Sequence, residues 1–349
     1  MSIRVLVVDD SRLIRDMLAS LLVRDGDIAV CGTAADPNEA RQKIKALNPD
    51  VLTLDVEMPG MNGLAFLERL MRLHPMPVVM VSTLTRKGAD ETLLALELGA
   101  VDFVAKPDAT LSNGLEQFGA ALRDRLRAAA AVRALRGREI EGMACIRKAA
   151  SAAGPDGTVI AIGASTGGVD AIRMVLSGLA ADCPPVLITQ HMPAGFTARF
   201  AARLDDLCPM RVVEAQDGMV LAPGHAYVAP GDSHLRLRGA RGRLRTALGQ
   251  DAQISGHRPS VDALFQSVAE TAGPMAVGVI LTGMGRDGAT GLGAMRRAGA
   301  HTIGQSADSA LVYGMPRVAF EEGAVSEQAP MDIIGARIVQ ALMRLKRAA

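Results

Sequence analysis

The sequence predicts an α/β protein with two open, mostly parallel, doubly wound sheets, the second of which carries a β-hairpin segment. Short apolar segments alternate with segments of helical period in both halves, which is typical of βα units. The alternation stops at 124–157, where Arg, Ala and Gly dominate. A chain of 349 residues is also long enough for two cores. We therefore predict domains at 1–125 and 158–349, joined by a linker at 126–157 that is helical or partly disordered.

The first domain is expected to contain five βα units, because five apolar segments are each followed by an amphipathic one. The predicted strands are Ile3–Val8, Ile28–Gly32, Val51–Leu54, Val78–Val81 and Val101–Ala105. The predicted helices are Arg12–Arg24, Asn38–Leu47, Gly63–Leu73, Ala89–Leu98 and a last one that begins near Leu111 and ends beyond Arg123.

The second domain is expected to resume the same alternation and then to depart from it. Strands are predicted at Thr158–Ile162, Pro185–Thr189, Ala276–Thr282 and Thr302–Gly304, and helices at Val169–Leu179, Ser260–Ala272, Ala289–Ala298 and 331–347. Residues 209–250 are rich in Gly, Pro and short apolar runs, which predicts β-hairpins instead of crossover units.

Composition argues against several classes of protein. A net charge of +1, no Trp and only two Tyr argue against a nucleic-acid or anionic-membrane partner. The basic run Arg123–Arg138 could be a nucleic-acid patch, but a solvated linker helix is the preferred interpretation. The four cysteines are scattered and form no CxxC pair, as in reduced intracellular proteins. Without a signal peptide or a long apolar run, we expect a soluble cytoplasmic protein that does not insert into membranes.

Acidic residues follow two strands of the first domain. Asp9 and Asp10 end the first strand, and Asp55 ends the third. The carboxyl ends of parallel strands share one edge, where three carboxylates repel each other unless a cation lies among them. Oxygen ligands together with water suit Mg²⁺. The alternative is that these are solvated loop residues or helix caps, since Asp10 or Ser11 could cap the first helix.

A hydroxyl and an ammonium are expected at the same edge. Ser82 ends the fourth strand, and Lys106 ends the fifth. With the carboxylates and a metal, these groups would suit a phosphoryl group, which needs its charge neutralised and its oxygens hydrogen-bonded. Asp55 is the central carboxylate and therefore the natural nucleophile for an aspartyl phosphate.

In these residues the chain resembles the receiver domain of two-component response regulators. The resemblance covers about residues 1–125 and implies a flavodoxin-like fold in which a histidine kinase phosphorylates Asp55. It also implies that Asp10 and Asp55 hold Mg²⁺ with Asp9 alongside. The implied switch residues are Ser82, Phe103 and Lys106. The motifs that carry the resemblance are Val7–Ser11, Leu54–Gly63, Ser82 and Lys106–Pro107.

Three strands of the second domain each end in a different type of catalytic residue. Ser165 follows the first in the sequence Gly-Ala-Ser-Thr-Gly, His191 follows the second, and Asp287 follows the Ala276–Thr282 strand. On one sheet edge these residues would make an activated nucleophile. The G-x-S-x-G pattern also matches a nucleophile elbow, and Ser165 before a helix would have backbone N–H groups nearby for an oxyanion.

Each of these three residues has an alternative interpretation. The glycines around Ser165 could form a simple turn or a phosphate cradle. His191 is preferred because it directly follows the carboxyl end of a predicted strand, whereas His301 falls at the opposite end of its strand. The other histidines of this half are His225, His234 and His257, and the competing carboxylates are Asp232, Asp251 and Asp262.

This half resembles the catalytic domain of the CheB family of chemotaxis protein-glutamate methylesterases. The resemblance implies that Ser165 is the nucleophile, His191 the general base and Asp287 its partner. It also implies oxyanion and substrate contacts from Thr166 and the Met284 backbone. The motifs that carry it are Ile162–Gly168, Gln190–Pro193, His257–Asp262, Leu281–Gly288 and Val312–Pro316.

The two resemblances together imply a phosphorylation-regulated hydrolase. Its substrates would be glutamate methyl esters on chemoreceptors, with deamidation of receptor glutamine as a related reaction, and a chemotaxis histidine kinase would be its phosphodonor. Our hypothesis is that the unphosphorylated receiver covers the edge that bears Ser165 and that phosphorylation favours an open form. The alternatives are a hydrolase of small esters and a receiver with a non-catalytic output domain.

Overall fold

The structure is a computed structural model that describes residues 2–58, 62–82, 86–106, 114–136, 154–240 and 242–348. Its contacts divide the chain into two compact units, 1–141 and 142–349. Within the described residues, no helix is both long and apolar enough to cross a membrane.

Unit 1 is a five-stranded parallel sheet with the strand order β2-β1-β3-β4-β5. This is the flavodoxin-like order, so the predicted fold class of the first domain is confirmed. The strands are β1 (Ile3–Val8), β2 (Ile28–Ala34), β3 (Val51–Asp55), β4 (Val78–Ser82) and β5 (Asp102–Ala105). The helices are α1 (Arg12–Leu22), α2 (Pro37–Leu47), α3 (Gly63–Leu73), α4 (Arg86–Glu97) and α5 (Gly114–Arg136).

Helix α5 extends into the segment predicted as a linker. Its residues 126–136 are helical, whereas 137–153 lie outside the described residues. Arg123 donates from Nε to Asp25 at 2.8 Å, and Arg127 donates to Asp27 at 2.7 Å. These two arginines of the basic run therefore pair with carboxylates of their own unit.

Unit 2 has a seven-stranded parallel sheet with the order β14-β13-β12-β6-β7-β9-β8, and a separate antiparallel pair β10-β11. The strands are β6 (Val159–Ala164), β7 (Val186–Gln190), β8 (Arg211–Glu214), β9 (His225–Val228), β10 (His234–Arg238), β11 (Arg245–Gly249), β12 (Ala276–Ile280), β13 (His301–Gln305) and β14 (Glu327–Ala329). The helices are α6 (Gly168–Ser177), α7 (Thr197–Leu207), α8 (Val261–Thr271), α9 (Ala289–Arg297), α10 (Met315–Glu321) and α11 (Met331–Ala348). The predicted fold class is confirmed, although the sequence patterns above do not predict α7, α10 or β14.

The prediction of hairpins throughout 209–250 is wrong for β8 and β9. These strands pair in parallel with each other, with Arg211 opposite His225, and they extend the main sheet. Their connection does not fold back on β8, because Gly218 and Leu221 donate backbone hydrogen bonds to β11 and its flank. Among the described residues of 209–250, the strands that form a hairpin are β10 and β11. Gly and Pro mark chain reversals in both arrangements, so tertiary pairing decides between them.

The central strands β6, β7 and β12 are buried along their whole length. Helix α8 packs its buried face against the core that contains β6 and β12, and its Phe265 is fully buried there. Because the sheet interior is apolar on both faces, the polar side chains that follow these strands collect at its carboxyl edge.

Candidate functional site

In unit 1, a lysine bridges two buried carboxylates at the carboxyl edge of the sheet. Lys106, which follows β5, donates from Nζ to Asp9 Oδ2 at 2.9 Å and to Asp55 Oδ2 at 2.8 Å. Asp9 and Asp55 are 0% and 3% exposed. Burial raises the pKa of the Asp55 carboxyl to about 6, although the Lys106 hydrogen bond lowers it. The edge is therefore short of positive charge even with its ammonium in place.

Asp10 completes this acidic cluster. Carboxylate oxygens of Asp9, Asp10 and Asp55 lie within 4.8 Å of one another, and Asp10 is exposed. Asp10 and Asp55 line an open cavity of 520 Å³, and together with the buried Asp9 they form a set of hard oxygen donors that suits Mg²⁺. The cavity is also lined by Glu57 and Asn62.

The other predicted residues of unit 1 take different places. Ser11 caps α1, since its Oγ accepts a hydrogen bond from the Ile14 N–H at 3.4 Å, and so Asp10 does not serve as the cap. The backbone of Ser82 ends β4 at the same edge, and its side chain lies outside the described residues. Phe103 is buried in β5.

In unit 2, the predicted nucleophile and base follow adjacent strands. Ala164 of β6 is paired with Gln190 of β7, so Ser165 and His191 come directly after partners in the sheet. The His191 N–H donates to Ala164 O at 3.1 Å, and the Ser165 N–H donates to Thr282 O at 3.0 Å. Ser165 is thus tied to the strand that leads to Asp287.

The structure brings His191 and Asp287 into direct contact. His191 Nε2 lies 2.7 Å from Asp287 Oδ2, and the two residues are 9% and 1% exposed. The Nδ1 atom of His191 is buried and makes no hydrogen bond within the described part of the chain. If Nε2 carries the proton donated to the carboxylate, Nδ1 is the nitrogen with the free lone pair.

Asp287 is held by the first turn of α8 as well as by the imidazole. The N–H groups of Val261 and Asp262 donate to it at 2.7 and 3.0 Å, and Ser260 Oγ donates at 2.8 Å. Burial raises the pKa of this carboxyl, but the hydrogen bonds from His191 and from the helix N-terminus outweigh it and hold the pKa at about 2. Asp287 is therefore an anion with every strong acceptor site occupied.

Sequence reasoning missed Ser260. A serine before an apolar helical run is an N-cap signal, and Ser260 does cap α8 by accepting from the Ala263 N–H. The same hydroxyl donates to Asp287, which no local pattern predicts because the two residues are distant in the chain. Behind it, His234 accepts from the Ser260 N–H at Nδ1, so this histidine supports the helix end.

Asp262, the nearest competing carboxylate, faces away from the imidazole. It accepts hydrogen bonds from the Gly291 N–H at 2.7 Å and from Ser255 Oγ at 3.0 Å. Burial, together with the charge of Asp287, raises the pKa of its carboxyl. Of the two acids, Asp287 has more donors, and its pKa is the one that is lowered.

The turn at Ser165 differs from the nucleophile elbow that its sequence pattern suggested. Outside glycine, positive φ values occur in the described residues only at Asn48 and Ser255, so the Ser165 backbone is not strained in that way. Gly167, with φ of +77°, makes the turn into α6 instead. Gly283 lets the loop after β12 approach Ser165 closely, because a Cβ atom there would lie 2.8 Å from Ser165 Cβ.

The predicted oxyanion contacts flank this turn. Thr166 is buried, and its carbonyl accepts from Thr282 Oγ1 at 2.9 Å. Met284 is half-buried in the loop after β12, and that loop packs against Gly314. Sequence reasoning also gave no role to His257, whose ring stacks on His191.

Each of the two units matches a known protein family. Residues 160–338 match the family model described as CheB methylesterase, and residues 5–113 match the response regulator receiver domain. The chain belongs to the CheB methylesterase family. The predicted family, and the presence of a receiver ahead of the catalytic domain, are confirmed.

Several relatives match this CheB-family chain over nearly the full length of both proteins. It is 55% identical, over 97% of both chains, to a protein of Caulobacter vibrioides named protein-glutamate methylesterase/protein-glutamine glutaminase 1. It is 51% identical to the protein of the same name from Dechloromonas aromatica, over 97% of this chain and 98% of that one. The CheB methylesterase catalytic domain of Thermotoga maritima is 35% identical and superposes with a TM-score of 0.51, covering 52% of this chain and 97% of that domain.

Proposed function

We propose that this chain hydrolyses glutamate methyl esters on chemoreceptors and deamidates receptor glutamines, under the control of phosphorylation at Asp55. The observation that carries the catalytic part is the buried His191–Asp287 pair directly beside the Ser165 turn. The names of the full-length relatives support the two substrates. The receiver match supports regulation by phosphorylation.

The proposed reaction uses Ser165 as the nucleophile. His191 Nδ1 takes the hydroxyl proton while Oγ attacks the ester carbonyl, and Asp287 stabilises the imidazolium that forms. Backbone N–H groups at Thr166 and Met284 would bind the oxyanion. The imidazolium then gives its proton to the leaving methoxide, which departs as methanol, and water hydrolyses the acyl-enzyme through the same base. An amide follows the same course and releases ammonia.

The proposed switch lies in unit 1. Asp55 would receive the phosphoryl group from a histidine kinase, with Mg²⁺ held by Asp9, Asp10 and Asp55, and Lys106 would contact the phosphoryl oxygens. The metal would supply the positive charge that neutralises the transferred group. Ser82 and Phe103 would then carry the change to the rest of the receiver.

Phosphorylation would raise activity by a population shift toward an open form. We retain the boundaries 1–125, 126–157 and 158–349 as a proposal for the receiver, the linker and the catalytic domain, and the cytoplasm as the proposed location. The cysteines in the described part of the chain, Cys31, Cys183 and Cys208, are free thiols, which is consistent with a reducing compartment.

The catalytic proposal is tested by methanol release from methylated receptor membranes. Ser165→Ala should lower kcat by about 10⁴ to 10⁶-fold if the three residues act as a unit. An organophosphonate should label Ser165 in the wild type and leave Ser165→Ala unlabelled. Ser177→Ala, a change at the far end of α6, is the matched control and should keep wild-type rates. No labelling and no methanol from the wild type would refute the catalytic proposal.

The regulatory proposal is tested by a small phosphodonor. It should stimulate the wild type and leave Asp55→Asn at its basal rate, because the amide cannot be phosphorylated. Stimulation of Asp55→Asn to the wild-type level would exclude Asp55 as the switch.

A further inference from the structure

A second imidazole covers the face of His191. The ring centroids of His191 and His257 are 3.7 Å apart, and the rings are inclined by only 12°. His257 is half-buried and lies in the loop before α8, far in sequence from His191. The proposed reaction assigns it no step, so the contact requires another explanation.

The known hydrogen bonds of His191 do not hold its ring plane. The bond to Asp287 is made at Nε2, which lies nearer than Nδ1 to the axis of rotation about the Cβ–Cγ bond. Rotation about that bond is soft for histidine, and it moves Nδ1 further than Nε2. A carboxylate at Nε2 therefore sets the tautomer but leaves the direction of Nδ1 loosely defined. A flat group against the ring face removes this freedom.

The segment that carries His257 is built to hold such a contact. Ile254 and His257 exchange backbone hydrogen bonds at 3.1 and 3.0 Å around a tight turn. Its central residues Ser255 and Gly256 have φ values of +53° and +80°, which is the pattern of a type I′ turn. A serine at positive φ is unfavourable unless other contacts hold it.

Asp262 supplies the contact that holds the turn. Its Oδ2 accepts a hydrogen bond from Ser255 Oγ at 3.0 Å, and its Oδ1 accepts from the Gly291 N–H at 2.7 Å. Asp262 belongs to the first turn of α8, whose N–H groups also bind Asp287. One helix end thus places both the carboxylate at the edge of His191 and the aromatic ring on its face.

We infer that His257 is a positioning residue that fixes the plane of the His191 ring and so directs Nδ1 toward the nucleophile. This inference rests on the proposed function of His191 as the general base. The aromatic face would also stabilise the imidazolium that forms during each proton transfer. Both effects need a flat aromatic ring and neither needs a particular nitrogen of His257.

The experiment compares His257→Ala with His257→Phe in the full-length chain. We expect His257→Ala to lower kcat for methanol release roughly 10- to 100-fold with KM nearly unchanged, since a misdirected base slows chemistry without weakening binding. His257→Phe should restore kcat to within roughly threefold of the wild type, because the stack is kept. The rate at which a small organophosphonate labels Ser165 should follow the same order. Because this probe does not need the receptor, its rate reports the effect on activation of Ser165 separately from any effect on receptor binding.

Two further variants make the result unambiguous. Ser255→Gly keeps the backbone of the turn, because glycine adopts positive φ freely, but removes the bond to Asp262. It should lower kcat by a smaller factor of roughly 3 to 10. His225→Ala removes a half-buried histidine at the amino end of β9 and should leave both rates unchanged. Melting temperatures identify any variant that fails to fold.

Several results would overturn the inference. Wild-type kcat in a folded His257→Ala protein would show that the ring is not needed. Equal losses in His257→Ala and His257→Phe would show that the imidazole acts by its nitrogens and not by its face. A rise in KM alone would make His257 a substrate contact. Each of these outcomes requires an active wild type, whereas failure of the proposed function leaves the wild type itself inactive.

Discussion

The two sheet edges of this chain each bury an aspartate, yet they shift its pKa in opposite directions. Asp55 in unit 1 is 3% exposed and its pKa is raised to about 6, whereas Asp287 in unit 2 is 1% exposed and its pKa is held at about 2. Asp55 shares one lysine with a second carboxylate, Asp9. Asp287 faces a helix N-terminus, a hydroxyl and an imidazole. The number of donors, more than the degree of burial, therefore decides the direction in which the pKa of each aspartate shifts.

The difference fits the two proposed chemistries. An edge that is short of positive charge is suited to recruiting a metal ion and holding a phosphoryl group against it. An edge whose carboxylate is already satisfied is suited to orienting an imidazole through repeated proton transfers. The following experiments test this contrast.

The largest expected effect is that of Asp287→Asn on catalysis. An amide cannot accept from all four donors as an anion does, and it favours the wrong tautomer of His191. We expect kcat to fall by about 10⁴-fold. Asp251→Asn is the matched control, because Asp251 pairs with Arg236 on the surface. Methanol release measures both variants, and a loss under about tenfold for Asp287→Asn would contradict the assigned role.

Removing the lysine of unit 1 should destabilise that unit and make it depend on metal. Lys106→Met leaves Asp9 and Asp55 without their shared cation, which should cost about 3 kcal/mol without metal. Mg²⁺ should recover part of this loss, and it should stabilise the variant more than the wild type. Hydrogen exchange of the buried β1 and β3 amides in the full chain measures the change.

Lys43→Met provides the comparison for that experiment. Lys43 is half-buried, pairs with Glu39 four residues earlier and also donates to the Thr33 carbonyl, so its loss should cost about 1 kcal/mol, less than that of Lys106. Equal effects of the two lysine variants, or no response of Lys106→Met to Mg²⁺, would contradict the proposed need for a cation at this edge.

The lowered pKa of Asp287 should make the stability of unit 2 sensitive to acid. Its ordinary value is 3.8 and its value in the fold is about 2, so its hydrogen bonds stabilise the fold fully above about pH 4. This contribution, about 2 kcal/mol, is lost as the pH falls from about 4 to about 2. The stability difference between the wild type and Asp287→Asn should shrink accordingly.

Urea unfolding followed by tyrosine fluorescence isolates this effect. Both tyrosines of the chain, Tyr227 and Tyr313, lie in unit 2, and the chain has no Trp. A stability difference that stays constant down to about pH 2 would mean that Asp287 is not held as an anion.

The smallest expected effect is that of Ser260→Ala. The change removes the N-cap of α8 and should lower stability by about 1 kcal/mol. It also removes a donor to Asp287, so kcat should fall as well. Asp36→Ala removes the corresponding cap of α2 in unit 1 and should cost a similar amount of stability. Only the serine variant should lose activity in the methanol assay. Equal kcat for the two variants would place Ser260 outside the catalytic arrangement.

Much of both folds was predictable because local patterns and tertiary structure agree there. In unit 1 the short apolar runs and the caps of α1 and α2 predict the strand and helix order closely. The prediction of hairpins was wrong for β8 and β9 within 209–250, because the glycine and proline signals there are compatible both with a hairpin and with a connection between parallel strands. The pairing of their connection with β11 decided the outcome.

In the candidate sites, too, some residues could be predicted from local sequence patterns and others depend on tertiary structure. The placement of Ser165, His191 and Asp287 at one edge was predictable because each follows an apolar strand, and parallel strands bring such residues together, while their catalytic roles stay a prediction. Ser260 and His257 were not, since they precede a helix and reach the site from another layer of the fold.

The sequence alone determined which residues stand at the strand ends, because strand period and turn residues act over a few positions. Only the tertiary structure decided their pKa shifts and partners, because those depend on donors that come from distant segments. Asp262 and Asp287 look alike in the sequence. The N-terminus of α8 donates to one of them, Asp287, which contacts His191, whereas the other, Asp262, binds the turn at Ser255.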